Sequence, residues 1–339
     1  MTQQTNDTMW SNALNGSRSW LLLQITVAVM ISEGAACGNE FLGDWSLQLE
    51  SGTPAWMSIS KSSGPLEARL RLYVGSDGPH QKVICDGDRL RFTLRQRKNT
   101  EPARRVEAEI RDGVLQGAVI STASDGSEDR DRFTGDRIPP LPEQRPDLEQ
   151  IEYGPVLELF NGRDLTGWRT HEANKRNGWS AEDGMLVNKT PKTDFSATGA
   201  YANLRTEDVY EDFRLHIEFL VERDRNSGVY LRGMYEVQVV DRDSRMQGIQ
   251  GVGAVFGRIT PATNAGYPGG QWQTYEITLV DRHISVVLND VPVIDNQPVR
   301  GPTAGAIHTH PLRPGPIYLQ GDHTSVKYRN IRLQRVVSR

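Results

Sequence analysis

Residues 226–241 read NSGVYLRGMYEVQVVD. Apolar and polar positions alternate twice, once on each side of a short turn around Arg232–Gly233. Side chains of a strand point to its two faces in turn, so Val229 and Leu231 share a face with Val237 and Val239. The opposite face then carries Tyr230, Arg232, Glu236 and Gln238. A hairpin exposed to water usually shows Thr, Ser and Lys there; this one collects a guanidinium, a carboxyl and an amide.

Strand periodicity extends outward from this hairpin. DFRLHIEFLV (212–221), WQTYEITLVD (272–281), HISVVLNDVPVID (283–295), GPIYLQGD (315–322) and VKYRNIRLQRV (326–336) all alternate. No helical period persists over 12 residues between Leu157 and Val337. This half reads as a two-sheet jelly roll with one curved face. Upstream, DRIPPLPEQRPDLEQ (136–150) holds four prolines within 139–146, which excludes a sheet and reads as a semi-rigid linker. Before it, from about 41 to 137, six further alternating runs are separated by SDG (76–78), DGD (86–88), RDG (111–113) and SDG (124–126). Short strands at that spacing form an antiparallel sandwich or small barrel. No cluster of ionisable groups with a shared purpose stands out there, so this part reads as binding or spacing rather than catalysis. The chain is therefore all-β: a signal segment (1–36), a small antiparallel β domain (38–137), a Pro-rich linker (138–153) and a two-sheet sandwich (154–337).

The chain has 339 residues, enough for two cores. Its 39 Lys and Arg stand against 43 Asp and Glu, for a net charge of -4, and no basic run is interleaved with aromatics, which argues against nucleic acid as a partner. WLLLQITVAVMI (20–31) is too short to span a bilayer, which takes roughly 20 residues. Followed by Gly34 and Ala36, it fits an export signal, with Met9 as an alternative start. The expected location is periplasmic, secreted or lipid-anchored at the bacterial envelope. Cys37 directly follows the small residues as in a lipoprotein signal, although Gly34 stands where such signals usually carry Leu. The one other cysteine, Cys85, can pair with Cys37 in an oxidising compartment if Cys37 is not acylated.

In the strands of the second half, the non-core positions are His216 and Glu218 in one, Tyr230 and Arg232 in the next, Glu236 and Gln238 in the third, and Tyr318, Gln320 and Asp322 in the fourth, with His323 at its end. The plain reading of any one strand is a wet face with a weak Arg232–Glu236 ion pair. Gln, Tyr, Arg and His recurring on four strands instead of Lys and Thr points to a hydroxyl-reading groove, because these groups offer rigid donors and acceptors. Other candidates read more simply. His308 and His310 form an H-x-H that could hold a metal only with a partner from elsewhere; as loop histidines they need none. Asp241, Asp243 and Asp322 could offer oxygens to Ca²⁺, but their spacing matches no known loop, and Asp241 reads rather as ending a strand or fixing Arg232. Trp168, Trp179 and Trp272 read as core aromatics, one of which could line a sugar subsite. Arg329 and Asn330 are open between site and structure, Asn330 leaning to structure. The sequence shows no G-x-S-x-G elbow, no P-loop and no dinucleotide fingerprint.

LFNGRDLTGW (159–168), GWSAEDGMLV (178–187), DFRLHIEF (212–219), NSGVYLRG (226–233), YEVQVVD (235–241), WQTYEITL (272–279) and GPIYLQGD with VKYRNIRL (315–333) together resemble the 3-keto-disaccharide hydrolase family, over residues about 154–337. Asp290 stands where the family often has Gly, and the loop HTHPLRP (308–314) is richer in His. The resemblance implies a concanavalin-like, laminin-G-like sandwich and a 3-keto glycoside as the carbohydrate substrate. A C3 ketone acidifies the C2 hydrogen; a base removes it, the enolate expels the C1 oxygen, and water adds. On what the resemblance implies, Glu236 and His323 would be the base and acid in either order, Arg232 would face the enolate, and Gln238, Gln320, Tyr230, Tyr318, His216 and Glu218 would hold the sugar. Two alternatives remain: a non-catalytic laminin-G-like binding module, and an ordinary glycosidase using Glu218 and Glu236, which would need carboxyls roughly 5–5.5 Å apart to retain configuration.

Overall fold

A computed structural model describes residues 39–61, 63–72, 81–96, 101–191, 197 and 199–338. The export signal and the Cys37 pairing or acylation lie outside the described residues, as does the 76–78 turn. Cys85 is not a free thiol. Among the described residues the protein is all-β, with two three-residue 3₁₀ turns, Asn39–Phe41 and Gly248–Gln250.

Nine strands make the first sheet: β1 (Gly43–Leu49), β2 (Pro54–Lys61), β3 (Leu66–Leu72), β4 (Gln81–Lys82), β5 (Ile84–Asp86), β6 (Arg89–Leu94), β7 (Ala103–Arg111), β8 (Val114–Thr122) and β9 (Glu128–Ile138). Their order is β4-β3-β2-β1-β9-β8-β7-β6-β5, antiparallel throughout. β4 and β5 are one segment interrupted only at Val83, whose N–H donates to Leu66 O at 2.9 Å. The two ends of the sheet thus meet on one piece of chain, and the sheet curls into a nearly closed barrel. Its inward positions, among them Trp45, Leu47, Met57, Leu90, Val106 and Phe133, fill the interior. Gly117 is obligatory there, since a Cβ would lie 2.6 Å from the Phe133 ring.

The second half begins with β10 (Glu152–Tyr153), β11 (Leu157–Glu158), β12 (Trp168–Thr170), β13 (Trp179–Glu182), β14 (Met185–Asn188) and β15 (Leu204–Thr206). It continues with β16 (Phe213–Leu220), β17 (Asn226–Leu231), β18 (Tyr235–Val240), β19 (Trp272–Val280), β20 (His283–Leu288), β21 (Val291–Pro298), β22 (Tyr318–Leu319) and β23 (Val326–Ser338). One sheet runs β13-β14-β23-β16-β19-β20-β21, with β10 and β11 also on β23; the other runs β12-β15-β22-β17-β18. Leu215, Ile217 and Phe219 of the first meet Val229, Leu231, Val237 and Val239 of the second in one core. Trp168 and Trp179 join that core, and Trp272 lies half-buried beneath the Arg329 guanidinium, 4.0 Å from its ring centre.

The outer face of β1–β3 docks on the sandwich. Arg300 grips Asp44 with two hydrogen bonds of 2.7 and 2.8 Å, and Thr309 bonds Ser46 and the Ala55 carbonyl at 2.8 and 2.7 Å. Trp56 stacks under Arg258 at 5.2 Å. The proline segment is strapped down as well: Arg282 donates to the Pro139 and Pro140 carbonyls, and Asn296 to the Pro146 carbonyl at 2.9 Å.

Candidate active site

Directly opposed residues of neighbouring strands share a face, and one such row crosses the whole five-stranded sheet. Arg169 on β12 opposes Arg205 on β15, Arg205 opposes Tyr318 on β22, Tyr318 opposes Tyr230 on β17, and Tyr230 opposes Glu236 on β18. Leu204 and Leu319 alternate with them into the core. The next row holds Gln238 opposite Gly228, with Gln320 bonded through its N–H to Gly228 O at 3.0 Å. Gly228 leaves room that the Glu236 side chain occupies; a Cβ there would collide with its Oε1.

Glu236 is 3% exposed. Burial pushes its pKa from 4.5 up to about 8; the Tyr230 hydroxyl bond opposes this, the nearby Asp322 charge adds to it, and Arg71 opposes it. At neutral pH the carboxyl therefore keeps its proton. In that form it can donate to Tyr230 Oη, which passes its own hydrogen to Ala304 O at 2.8 Å. Tyr328 also feels the Glu236 charge. The Glu236 N–H donates to Thr303 Oγ1 at 2.9 Å, and Gln320 Nε2 lies 3.5 Å from Glu236 Oε1 and from Tyr230 Oη. The Oε1 atoms of Gln238 and Gln320 are buried with no protein donor, which leaves two amide acceptors for a ligand's hydroxyls. Tyr230 and Tyr318 meet edge to face at 4.8 Å, and His171 meets Tyr318 at 5.6 Å.

His323 Nδ1 lies 2.6 Å from Asp322 Oδ1, both side chains partly buried. Asp322 is itself set by Asn203, whose Oδ1 accepts from the Gly321 and Asp322 N–H groups at 2.8 and 3.2 Å. Glu172 fixes Asn203 in turn through its backbone and side-chain nitrogens at 2.9 and 3.0 Å. A carboxylate on Nδ1 holds the imidazole tautomer that leaves Nε2 free to take a proton.

Three sequence expectations come out differently. His216 and Glu218 do share a non-core face, but β16 belongs to the other sheet, so they lie on the far side of the core from Glu236. There His216 meets Glu276 at 2.5 Å, and Glu218 accepts from Arg329 and Asn330 at 2.7 and 2.5 Å. A Glu218–Glu236 pair is thereby excluded, and Arg329 and Asn330 serve that outer network. Arg232 sits in the turn after β17 with φ +53, where strand alternation no longer sets direction. Its guanidinium is used by Asp212, Glu211 O and Pro311 O, and it makes no bond to Glu236. Asp212, not Asp241, is its partner. The cation acting on Glu236 is instead Arg71, 5% exposed, from barrel strand β3.

His308 bonds the Arg232 carbonyl through Nε2 at 2.7 Å, and burial lowers its pKa to about 4; His310 accepts from Leu312 N–H at 3.3 Å. Asp241 accepts from Asp224 and Asp243 N–H at 2.9 and 3.0 Å, while Asp243 pairs with Arg242. Among the described residues no three His, Cys, Asp or Glu side chains converge as a metal set. Sequence reading missed Arg169, Arg205, Asn203, Thr303 and Arg71, and read Asp322 as an outward-facing residue and a possible Ca²⁺ oxygen, not as the partner of His323. The alternating WRT (168–170) and LRT (204–206) and the adjacent pair Asp322–His323 were the available signals.

Residues 156–334 match the model of the 3-keto-alpha-glucoside-1,2-lyase-like domain. No curated protein matches. Among solved structures, a proposed glycosyl hydrolase from Parabacteroides distasonis is 20% identical over 53% of this chain and 94% of that one, with a TM-score of 0.44. A second from that organism is 24% identical over 59% and 94%, TM-score 0.43. Porphyranase B from Zobellia galactanivorans is 11% identical over 60% and 100%, TM-score 0.36. Likenesses this distant carry no argument about the chemistry of this chain.

Proposed function

The chain belongs to the carbohydrate-active 3-keto-alpha-glucoside-1,2-lyase-like family, and from that premise we propose that it cleaves 3-keto glycosides by elimination across C1–C2 and subsequent hydration. His323 is the base and Glu236 the acid. One observation carries this order: a buried carboxyl, pushed up to a pKa of about 8, lies within electrostatic reach of Asp322, the carboxylate that orients the His323 imidazole.

The imidazole Nε2 takes the C2 hydrogen, whose pair of electrons becomes the enolate of the C3 ketone. Collapse of the enolate forms the C1–C2 double bond and breaks the bond from C1 to the leaving oxygen. Glu236 gives that oxygen its proton, so the aglycone departs as a neutral alcohol. Water then adds at C1, with its proton returned to C2, and releases the 3-keto sugar. Gln238 and Gln320 hold hydroxyls, and Tyr230 and Tyr318 form the floor. Arg71 steadies the Glu236 carboxylate once its proton has gone. The chain acts, on this reading, after export to the periplasm, the envelope or the medium. A module that only binds sugars would use the same floor without the acid–base pair.

Turnover of a 3-keto-α-glucoside by the purified chain, beside the unoxidised parent, tests the proposal. Cleavage of the keto form alone supports it. Cleavage of both sinks the elimination route, and saturable binding without cleavage of either sinks the enzyme.

A further inference from the structure

The row that ends at Glu236 begins with two arginines facing each other across neighbouring strands, Arg169 and Arg205. Like charges so placed repel and weaken a sheet. Arg205 is half-buried, and its Nε is buried with no partner. Among the described residues neither arginine has an ion-pair partner. Glu172, a carboxylate whose charge acts on the neighbouring His171, is taken by Asn203 and by Lys175 at 3.4 Å. His171 borders the same corner; burial lowers its pKa, Glu172 acts the other way, and Arg205 and Arg169 lower it further. A guanidinium half withdrawn from water, beside a second one and without an acceptor, is a costly arrangement unless an anion completes it.

We propose that Arg169 and Arg205 form an anion subsite, and that the substrate carries a carboxylate or phosphate on the part that is released, beyond the sugar ring that loses its C2 hydrogen. This rests on the function proposed above. The distance follows from register: three strand spacings separate Arg205 from Glu236, roughly 14 Å between backbones. That is too far for a group on the ring that loses its C2 hydrogen, and suits the far unit of a glycoside lying along the row. Planar, forked guanidinium groups match carboxylate and phosphate oxygens in pairs.

Three probes test it on the full chain: the 3-keto forms of a glucosyl-glucose, a glucosyl-glucuronate and a glucosyl-glucose phosphate. The native protein should favour at least one anionic probe by about tenfold in kcat/KM, mostly through KM, with the preference shrinking as salt rises. Whichever anionic probe is favoured identifies the anion. Arg205→Gln, or the exposed Arg169→Gln should the first fail to fold, should bring the ratio of anionic to neutral probe toward one, with Arg205→Lys retaining part of it. No preference in the native protein, or a preference untouched by both glutamine variants, overturns the subsite. Should the native protein cleave none of the three, the proposed reaction fails, and calorimetric binding of the unoxidised glucosyl-glucuronate still decides. Binding several-fold tighter to native protein than to Arg205→Gln upholds the subsite, and equal or undetectable binding overturns it.

Discussion

Replacing Glu236 with glutamine should stop turnover and, at neutral pH, make the protein more stable. A solvated glutamate ionises near 4.5, whereas burial pushes Glu236 up to about 8. Between those values the unfolded chain has released a proton that the folded chain keeps. The stability tied to this group is therefore fully present below about pH 4.5 and is lost as pH rises through about 8. At 1.36 kcal/mol per pH unit, the loss is about 3 kcal/mol at pH 7 and about 5 kcal/mol above pH 8. Glutamine never ionises, and its amide keeps an acceptor for Gln320 and a donor for Tyr230, so the variant escapes the loss. Urea melts of both proteins should give similar stabilities near pH 4.5 and a gap of about 3 kcal/mol in favour of the glutamine variant at pH 7. A gap that does not change with pH would mean that Glu236 is ionised in the folded protein. The assignment of Glu236 as acid would then fall with it.

His323→Ala and Asp322→Asn should each lower kcat by about a hundredfold or more while thermal melts stay close to native; a loss below tenfold for His323→Ala removes it as base. Gly228→Ala puts a methyl group where the Glu236 carboxyl lies, and should cut kcat with the β circular-dichroism signal intact. Normal turnover by that variant would show that the carboxyl's position is not critical. Arg232→Met leaves Asp212 buried without its cation, both side chains being under 5% exposed in the native pair. The denaturation midpoint should drop by the equivalent of about 3–5 kcal/mol. A variant of native stability that has lost turnover would instead place Arg232 in the chemistry.

Strand alternation made the all-β class and the facing of each strand legible. Leu215, Ile217 and Phe219 do turn inward, and Tyr230, Glu236, Gln238, Tyr318 and Gln320 do stand together on the other side of their sheet. Alternation is a property of one strand, however, and says nothing about which sheet the strand joins. By alternation alone, His216 and Glu218 join a set of side chains that lie across the core from them. Arg232 departs for a different reason: it obeys the alternation by count but sits past the strand end at positive φ. Arg71 was illegible because its relation to Glu236 is made entirely by docking of the barrel's outer face. No spacing within EARLRLYV (67–74) encodes what packs against it. The His323–Asp322 pair, adjacent in sequence, needed only Asn203 to give it direction, and that residue lies more than a hundred positions upstream.

The proline segment between the two β parts would ordinarily be taken as a hinge. Here its carbonyls, which no sheet uses, are the acceptors that Arg282 and Asn296 seek. Swinging the barrel away from the sandwich would have to break those bonds together with the Arg300–Asp44 and Thr309–Ala55 contacts. The barrel is therefore held as a fixed jamb beside the sandwich rather than hung as a door.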